Sequence, residues 1–328
     1  MAIRVIHPGA LTTVQDLGRY GYQALGMPCS GVMDRQAYEA ASYLVGNESG
    51  EAVLECTLFG GIYQFEDDAV CALTGADMQP TLDGTAVPMY HPFPVAKGQT
   101  LMLGTAVTGC RTTLAVAGGI DVPVVMGSRS TNLKCALGGY MGRALTAGDV
   151  LPVGASEVSV EDFITETAAA AEHKNASIAP SAAAEQVNSS IVSSSGIRTN
   201  DISSRKMEAP KYPEDLGIRV ILGPQDDYFT DNGLETFFSG TYTVSQDSDR
   251  MGCRLNGPVI ESKNGTDIIS DAIVFGSIQV TPAGMPIILL ADRQTTGGYA
   301  KIATVCSDDL PKLAQARPGY RIRFIKMI

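Results

Sequence analysis

Pro286-Ile287-Ile288-Leu289-Leu290-Ala291 runs directly into Asp292-Arg293-Gln294-Thr295-Thr296-Gly297-Gly298-Tyr299. The first six residues are a continuous apolar run opened by proline, the pattern of a buried strand. The next eight hold a carboxylate, a guanidinium, an amide, hydroxyls, two glycines and a phenol. Such a loop at the end of a buried strand is either a tightly bonded turn or a polar ligand site. Similar short runs divided by glycine-rich turns recur through most of the chain, for example Gly61 to Phe65, Ala69 to Leu73 and Thr113 to Ala117. This texture predicts a mainly β protein with short helices.

Helical pattern is confined to a few places. Ala37, Ala40, Ala41 and Leu44 mark one face of a helix over about 34–45, capped by Asp34 and ended by Gly46. Thr230 starts a second helix that Gly240 closes, and Ser307 is placed to cap a third containing Leu310 and Leu313. Strands are expected at 272–280 and 302–306, and Asp83-Gly84 reads as a tight hairpin turn.

The segment 155–215 differs in kind. It is rich in Ala, Ser and Glu, lacks periodicity, and carries ten acidic and five basic residues, −5 of the net −11. Such a composition buries too little apolar surface to order itself. It reads as a flexible tether, with an Ala-rich helix near 166–173, between a domain at 1–154 and another at 216–328. With 328 residues and 45% apolar content, each half has room for its own core.

The net charge of −11, with no basic run to offset it, argues against nucleic acid or an anionic membrane as partner. His7, His91 and His173 stand far apart and offer no metal-ligand spacing, and the seven cysteines form no CxxC pair. No signal-like or membrane-length apolar run is present, which points to a cytoplasmic protein. P-loop, Rossmann and GxSxG signatures are missing as well.

The two halves echo each other. Gln15-Asp16-Leu17-Gly18-Arg19-Tyr20-Gly21 matches Gln246-Asp247-Ser248-Asp249-Arg250-Met251-Gly252 as Q-D-x-x-R-x-G. Gly127-Ser128-Arg129-Ser130-Thr131 matches Ala291-Asp292-Arg293-Gln294-Thr295, and a Gly-Gly-Tyr follows each, at 138–140 and 297–299. Two ordered matches favour a duplicated domain, and repeated loops place a polar site near the groove between halves. Arg19, Arg129, Arg250 and Arg293 suit a carboxylate or phosphate. Asp34, Asp249 and Asp292 are candidate catalytic bases or acceptors. For each, the competing assignment is an Arg–Asp pair that stiffens a turn, and Tyr299 fits a packed aromatic as readily as a ligand contact.

Taken together, these loops resemble one family closely. Val14 to Arg19, Ser30-Gly31-Val32-Met33-Asp34, Leu44-Val45-Gly46-Asn47, Leu73 to Asp77, Ala117 to Ile120 and Gly127 to Thr131 are similar to its N-terminal half. Gly223-Pro224-Gln225, Ser248 to Gly252, Gly276-Ser277-Ile278-Gln279-Val280, Asp292 to Tyr299 and Gln315-Ala316-Arg317-Pro318-Gly319 are similar to its C-terminal half. This is the KipA-like family, also called allophanate hydrolase subunit 2 or the C subunit of 5-oxoprolinase, and the matching part of the urea carboxylase carboxyltransferase domain. The resemblance implies two cyclophilin-like β-barrel domains. It also implies a KipI-like partner (the 5-oxoprolinase B subunit) and the 5-oxoprolinase A subunit, with ATP as co-substrate for opening 5-oxoproline to glutamate. In the carboxylase relatives it implies carboxyl transfer from biotin to urea, and a third reading is a non-catalytic regulator that binds the KipI-like partner of a sensor kinase. Residues carried into the expected substrate or nucleotide site are Gln15, Arg19, Arg129, Ser248, Arg250, Gln279, Arg293, Gln294, Thr295, Gly297, Gly298 and Tyr299. Ser42 departs from the family pattern, where Asn is expected, and the segment 155–215 is longer than usual.

Overall fold

A computed structural model describes residues 1–165 and 202–327. The chain is mainly β, as its alternating runs predict. In the N-terminal half two sheets face each other. One runs in the order β11 (Val150–Pro152), β1 (Ala2–His7), β4 (Ile62–Phe65), β9 (Thr100–Met102), β6 (Thr81–Leu82), β7 (Thr85–Ala86). The other runs β2 (Leu11–Gln15), β3 (Val53–Thr57), β10 (Thr108–Val116), β5 (Ala69–Asp77), β8 (Pro92–Val95). Ile3, Val5, Tyr63 and Phe65 from the first sheet pack on Val14, Leu54, Cys71 and Leu114 from the second.

The opposite face of that second sheet positions the site. Residues alternate across a strand, so Thr13, Gln15, Val53, Glu55, Val70, Ala72, Thr74, Arg111, Thr113 and Ala115 turn away from the core between the sheets. This face is divided. Val53, Val70, Ala72 and Ala115 are apolar and covered by α1 (Arg35–Val45) through Tyr38, Ala41, Leu44 and Val45. Around Glu55 and Arg111 the face is polar, and the C-terminal half covers it. α1 has the expected boundaries: the Asp34 carboxylate accepts from Ala37 N, and Gly46 ends the helix at φ 74°.

The C-terminal half is a closed barrel in the order β12 (Asp215–Leu222), β19 (Lys301–Val305), β16 (Ser277–Val280), β17 (Pro286–Leu289), β14 (Gly252–Asn256), β13 (Tyr242–Val244), β20 (Arg321–Lys326). Thr230 caps α2 (Asp231–Ser239), whose Phe237 stacks on Phe324 with ring centroids 4.3 Å apart. A two-stranded ribbon of β15 (Asp267–Ala272) and β18 (Thr296–Tyr299) stands apart from the barrel sheet.

Four expectations change. Thr296–Tyr299 is a strand, so the polar loop after β17 shortens to 292–295. The strand expected over 272–280 is broken at 273–276, where Gly276 takes φ 88°. Ser307 is not a cap. It begins a 3-10 turn, and α3 (Leu310–Ala314) follows without a side-chain cap. Finally, order reaches into both ends of the expected tether. Phe163 and Ile202 are buried in the cluster under α1, and the Tyr212 hydroxyl lies 3.0 Å from that of Tyr90. A few well-spaced apolar residues anchor these ends, which averaged composition conceals. Residues 166–201, including the Ala-rich stretch at 166–173, lie outside the described residues.

Asp309 locks α3 to the barrel. Its buried carboxylate accepts from Arg219 N, Nε and Nη2 and from Lys312 Nζ. Burial works to raise its pKa, but the Arg219 and Lys312 bonds overcome it and hold the group down to about 2. A depressed folded-state pKa contributes stability above the unfolded value and loses it as pH falls. Asp309→Asn should therefore lower the melting temperature at neutral pH. It should also flatten the loss of stability between about pH 4 and pH 2 in a pH series of thermal melts.

Candidate functional site

The seam between halves is built around Arg250, which the turn before β14 aims into the polar end of the N-terminal sheet. Its Nε donates to Asp292 Oδ2 at 2.9 Å and its Nη2 to Asp292 Oδ1 at 3.2 Å. Nη1 bonds Glu55 Oε1, and Nη2 also donates to Gly31 O at 2.6 Å. The other Glu55 oxygen accepts from Met33 N at 2.7 Å. Arg250, Glu55 and Asp292 are all buried. Burial works to lower the Arg250 pKa, but Asp292 and Glu55 outweigh it and raise the pKa above its ordinary value. Met33, two residues beyond Gly31, inserts into the barrel core beside Ile288 and Leu290.

A second group crosses the seam at α3. Gln315 Oε1 accepts from Cys110 N and Arg111 N, while its Nε2 donates to Arg111 O and to Asp34 Oδ2 at 2.7 Å. Arg111 Nη1 donates to Ala314 O. Burial raises the Asp34 pKa against the opposing pull of the Gln315 and Ala37 bonds. A cavity of about 560 Å³ opens beside it, with Tyr90, Tyr212, Lys211 and Lys312 in its wall.

The echoed loops meet in both halves. Asp16 accepts from Gly18 N, from Ser128 and Ser130 Oγ and from Arg129 N, tying the first loop to the second. In the barrel the corresponding two loops also meet, but through a different position: Arg250, the counterpart of Arg19, donates to Asp292, while Asp247, the counterpart of Asp16, is exposed. Arg19 lies behind Asp16, wholly buried. Its Nη2 bonds Ser130 O, and its Nε and Nη1 have no partner among the described residues. Burial lowers its pKa, with Asp16 and then Asp292 opposing. Gln15 donates from Nε2 to Thr13 Oγ1 and Thr131 O.

The three carboxylates expected to catalyse do not share a site. Asp34 caps α1 and faces the cavity. Asp249 is exposed and closes its own turn by accepting from Met251 N and Gly252 N. Asp292 is held by Arg250. Among the other expected residues, Ser248 bonds the Arg254 backbone, and Arg129 reaches Val122 O and Asp121. Arg293 is buried, donates to Leu290 O and Ile273 O at 3.3 and 3.4 Å, and lies over the Phe275 ring. Burial lowers its pKa, with Cys29 opposing. Gln279 donates to Tyr299 O, and a Cβ at Gly297 would lie 2.7 Å from Gln279 Nε2, so those residues form one packed corner. Gln294 is exposed, while Thr295 O accepts from Ile273 N; Gly298 is part of β18. Glu55 was not anticipated. Its signal was a lone carboxylate inside the apolar run Val53-Leu54-Glu55-Cys56, where only a buried cation can balance it. Among the described residues no cluster of His, Cys, Asp or Glu is arranged to hold a metal, and no helix is long and apolar enough to cross a membrane.

The family model for the carboxyltransferase domain, subdomain A and B, matches residues 25–326. The chain belongs to this family. Among carboxyltransferase-domain relatives, the C subunit of 5-oxoprolinase from Escherichia coli (strain K12) is 34% identical over 99% of the chain and 91% of that protein. Urea amidolyase of Saccharomyces cerevisiae is 33% identical over 99% of the chain but only 17% of its own length. The crystal structure of the K. lactis urea amidolyase superposes with a TM-score of 0.80 at 31% identity, covering 100% of the chain and 19% of that one. In this carboxyltransferase domain the seam holds the buried ion cluster of Arg250, Glu55 and Asp292. Removing one partner of a buried ion cluster costs about 3–5 kcal/mol, because the others stay buried and unpaired. Arg250→Met should therefore lose about that much stability in urea unfolding, and Arg250→Lys should recover little of it, since one ammonium cannot span Glu55, Asp292 and Gly31 O.

Proposed function

We propose that the chain is the C subunit of an ATP-dependent 5-oxoprolinase that opens the lactam to glutamate together with a KipI-like B subunit and the A subunit. The observation that carries this is the likeness to the C subunit of E. coli 5-oxoprolinase, which runs through 91% of that protein, against 17% for the yeast urea amidolyase. The chemistry of the seam agrees. 5-Oxoproline presents a carboxylate and an amide, and the seam offers guanidinium groups at Arg19 and Arg293 with an amide at Gln15. Asp292, neutralised by Arg250, frames this group. Asp34, in a cavity separate from this group, is the one of the three carboxylates that lines a cavity and has its pKa raised by burial, which suits proton transfer to a group bound there.

A second reading, carboxyl transfer from biotin to urea or another amide, is favoured by the family match itself and by the urea amidolyase fold likeness. The two separate in one experiment. The chain is combined with the A and B subunits, and 5-oxoproline-dependent ATP hydrolysis is followed. We expect turnover only with all three proteins present, and a fall of at least roughly tenfold with Arg293→Ala, the loss of one charge-assisted contact. Turnover that requires a biotin carrier and urea would replace the first reading with the second. Full activity in Arg293→Ala would remove that residue from the site.

A further inference from the structure

The arginines of the seam are not equivalent. Arg250 is saturated by Glu55, Asp292 and Gly31 O, Arg129 is drawn to Val122 O and Asp121, and Arg293 spends two donors on carbonyls. Among the four arginines of the echoed loops Arg19 alone has nitrogens that are both buried and without a partner among the described residues; Arg111, also at the seam, leaves only its Nε so. A buried unpaired donor costs about 1–3 kcal/mol, and more when charged.

Gln15, four residues earlier, has the opposite deficiency. It is also wholly buried, and its Oε1 accepts no hydrogen bond among the described residues. Turning the amide over gives no relief, because Oε1 would then face the Thr131 carbonyl, acceptor against acceptor. Gln15 and Arg19 bond neighbouring carbonyls, Thr131 O and Ser130 O. Gly138 and Gly139 back this corner. A Cβ at 138 would lie 2.4 Å from Arg19 Nη2, and one at 139 would lie 1.8 Å from Thr131 Oγ1. The glycine backbone therefore packs directly against this corner, where no larger residue would fit.

Unused cationic donors and an unused neutral acceptor on adjacent anchor points are complementary to an anion attached next to an N–H group. We propose that Arg19 and Gln15 form a subsite for a carboxylate borne beside an amide nitrogen, with Arg19 taking the carboxylate and Gln15 Oε1 accepting from the N–H. The assignment rests on the lactam reading above, since 5-oxoproline carries its carboxylate on the carbon bonded to the ring nitrogen. Urea has no carboxylate, so this subsite separates the two substrate classes that the family spans. Both side chains are closed to solvent, so ligand entry requires local opening, and the excursion 20–28 is the adjoining segment. That excursion is joined at its neck by Arg19 N donating to Cys29 O, and it exposes Tyr20 and Leu25.

The test is calorimetric titration of the chain combined with its A and B subunits, without ATP, using 5-oxoproline and 2-pyrrolidinone, the same lactam without its carboxylate. Wild type should bind 5-oxoproline roughly 10- to 100-fold more tightly, the range of a charge-assisted contact. Arg19→Gln should erase that gap by weakening 5-oxoproline alone, with 2-pyrrolidinone serving as the check on folding. Gln15→Met should weaken both lactams by a similar factor. Equal weakening of both ligands by Arg19→Gln, or of neither, overturns the assignment. If wild type binds neither lactam, the lactam reading fails, and the anion subsite is judged with acetate. It stands only if acetate raises the melting temperature of wild type more than that of Arg19→Gln, and an equal response overturns it.

Discussion

One guanidinium, withdrawn from water, holds the two halves in register. Arg250 comes from the barrel, and its partners come from both sides: Asp292 from its own half, Glu55 and Gly31 O from the other. The planar fork fixes direction as well as distance, so the N-terminal sheet and the barrel meet in one orientation. Buried ion clusters of this kind contribute little net stability relative to an apolar core, and their value lies in the arrangement they impose. Here the arrangement brings Arg19, Gln15, Asp292 and Arg293 to a single seam.

The second sheet explains why the seam is polar. Its outer face has to be covered along its whole length, and two different elements share the task. α1 takes the apolar part with Ala41, Leu44 and Val45, and the barrel takes the part bearing Glu55 and Arg111. Gln315 completes the cover by satisfying the backbone of Cys110 and Arg111, groups that the sheet leaves open to its neighbour. The echoed loops meet within each half, Asp16 with residues 128–130 and Arg250 with Asp292, so the echo visible in the sequence is a repeated pairing of loops made through different positions in each half.

Much of this was legible in the sequence, because it depends on local chemistry. The α1 boundaries follow from Asp34, an alanine-rich face and Gly46. The mainly β character follows from short alternating runs, and the loops that gather at the seam were marked by the Q-D-x-x-R-x-G echo. What was not legible depends on partners distant in the chain. Nothing near Asp292 indicates whether its carboxylate meets a ligand or Arg250, 42 residues earlier. Glu55 is paired across 195 residues, and Gln315 across 281 to Asp34. The four arginines look alike as letters. Only the count of carbonyls and carboxylates around each distinguishes saturated Arg250 from Arg19.

The ordered ends of the Ala/Ser/Glu-rich segment change what kind of connection it is. Phe163 and Ile202 pack into the same cluster beneath α1, so the chain departs from and comes back to one place on the N-terminal half. The actual crossing to the barrel is made afterwards. Met207 N donates to Tyr90 O, Tyr212 meets the Tyr90 hydroxyl, and Arg321 N donates to Glu214 O. Both anchor points lie on one half, and the span between the halves is the short crossing that follows Ile202. A change at Phe163 or Ile202 therefore acts on α1 and the N-terminal half, while the geometry between the halves is held by the crossing at 207–214 and by the buried Arg250.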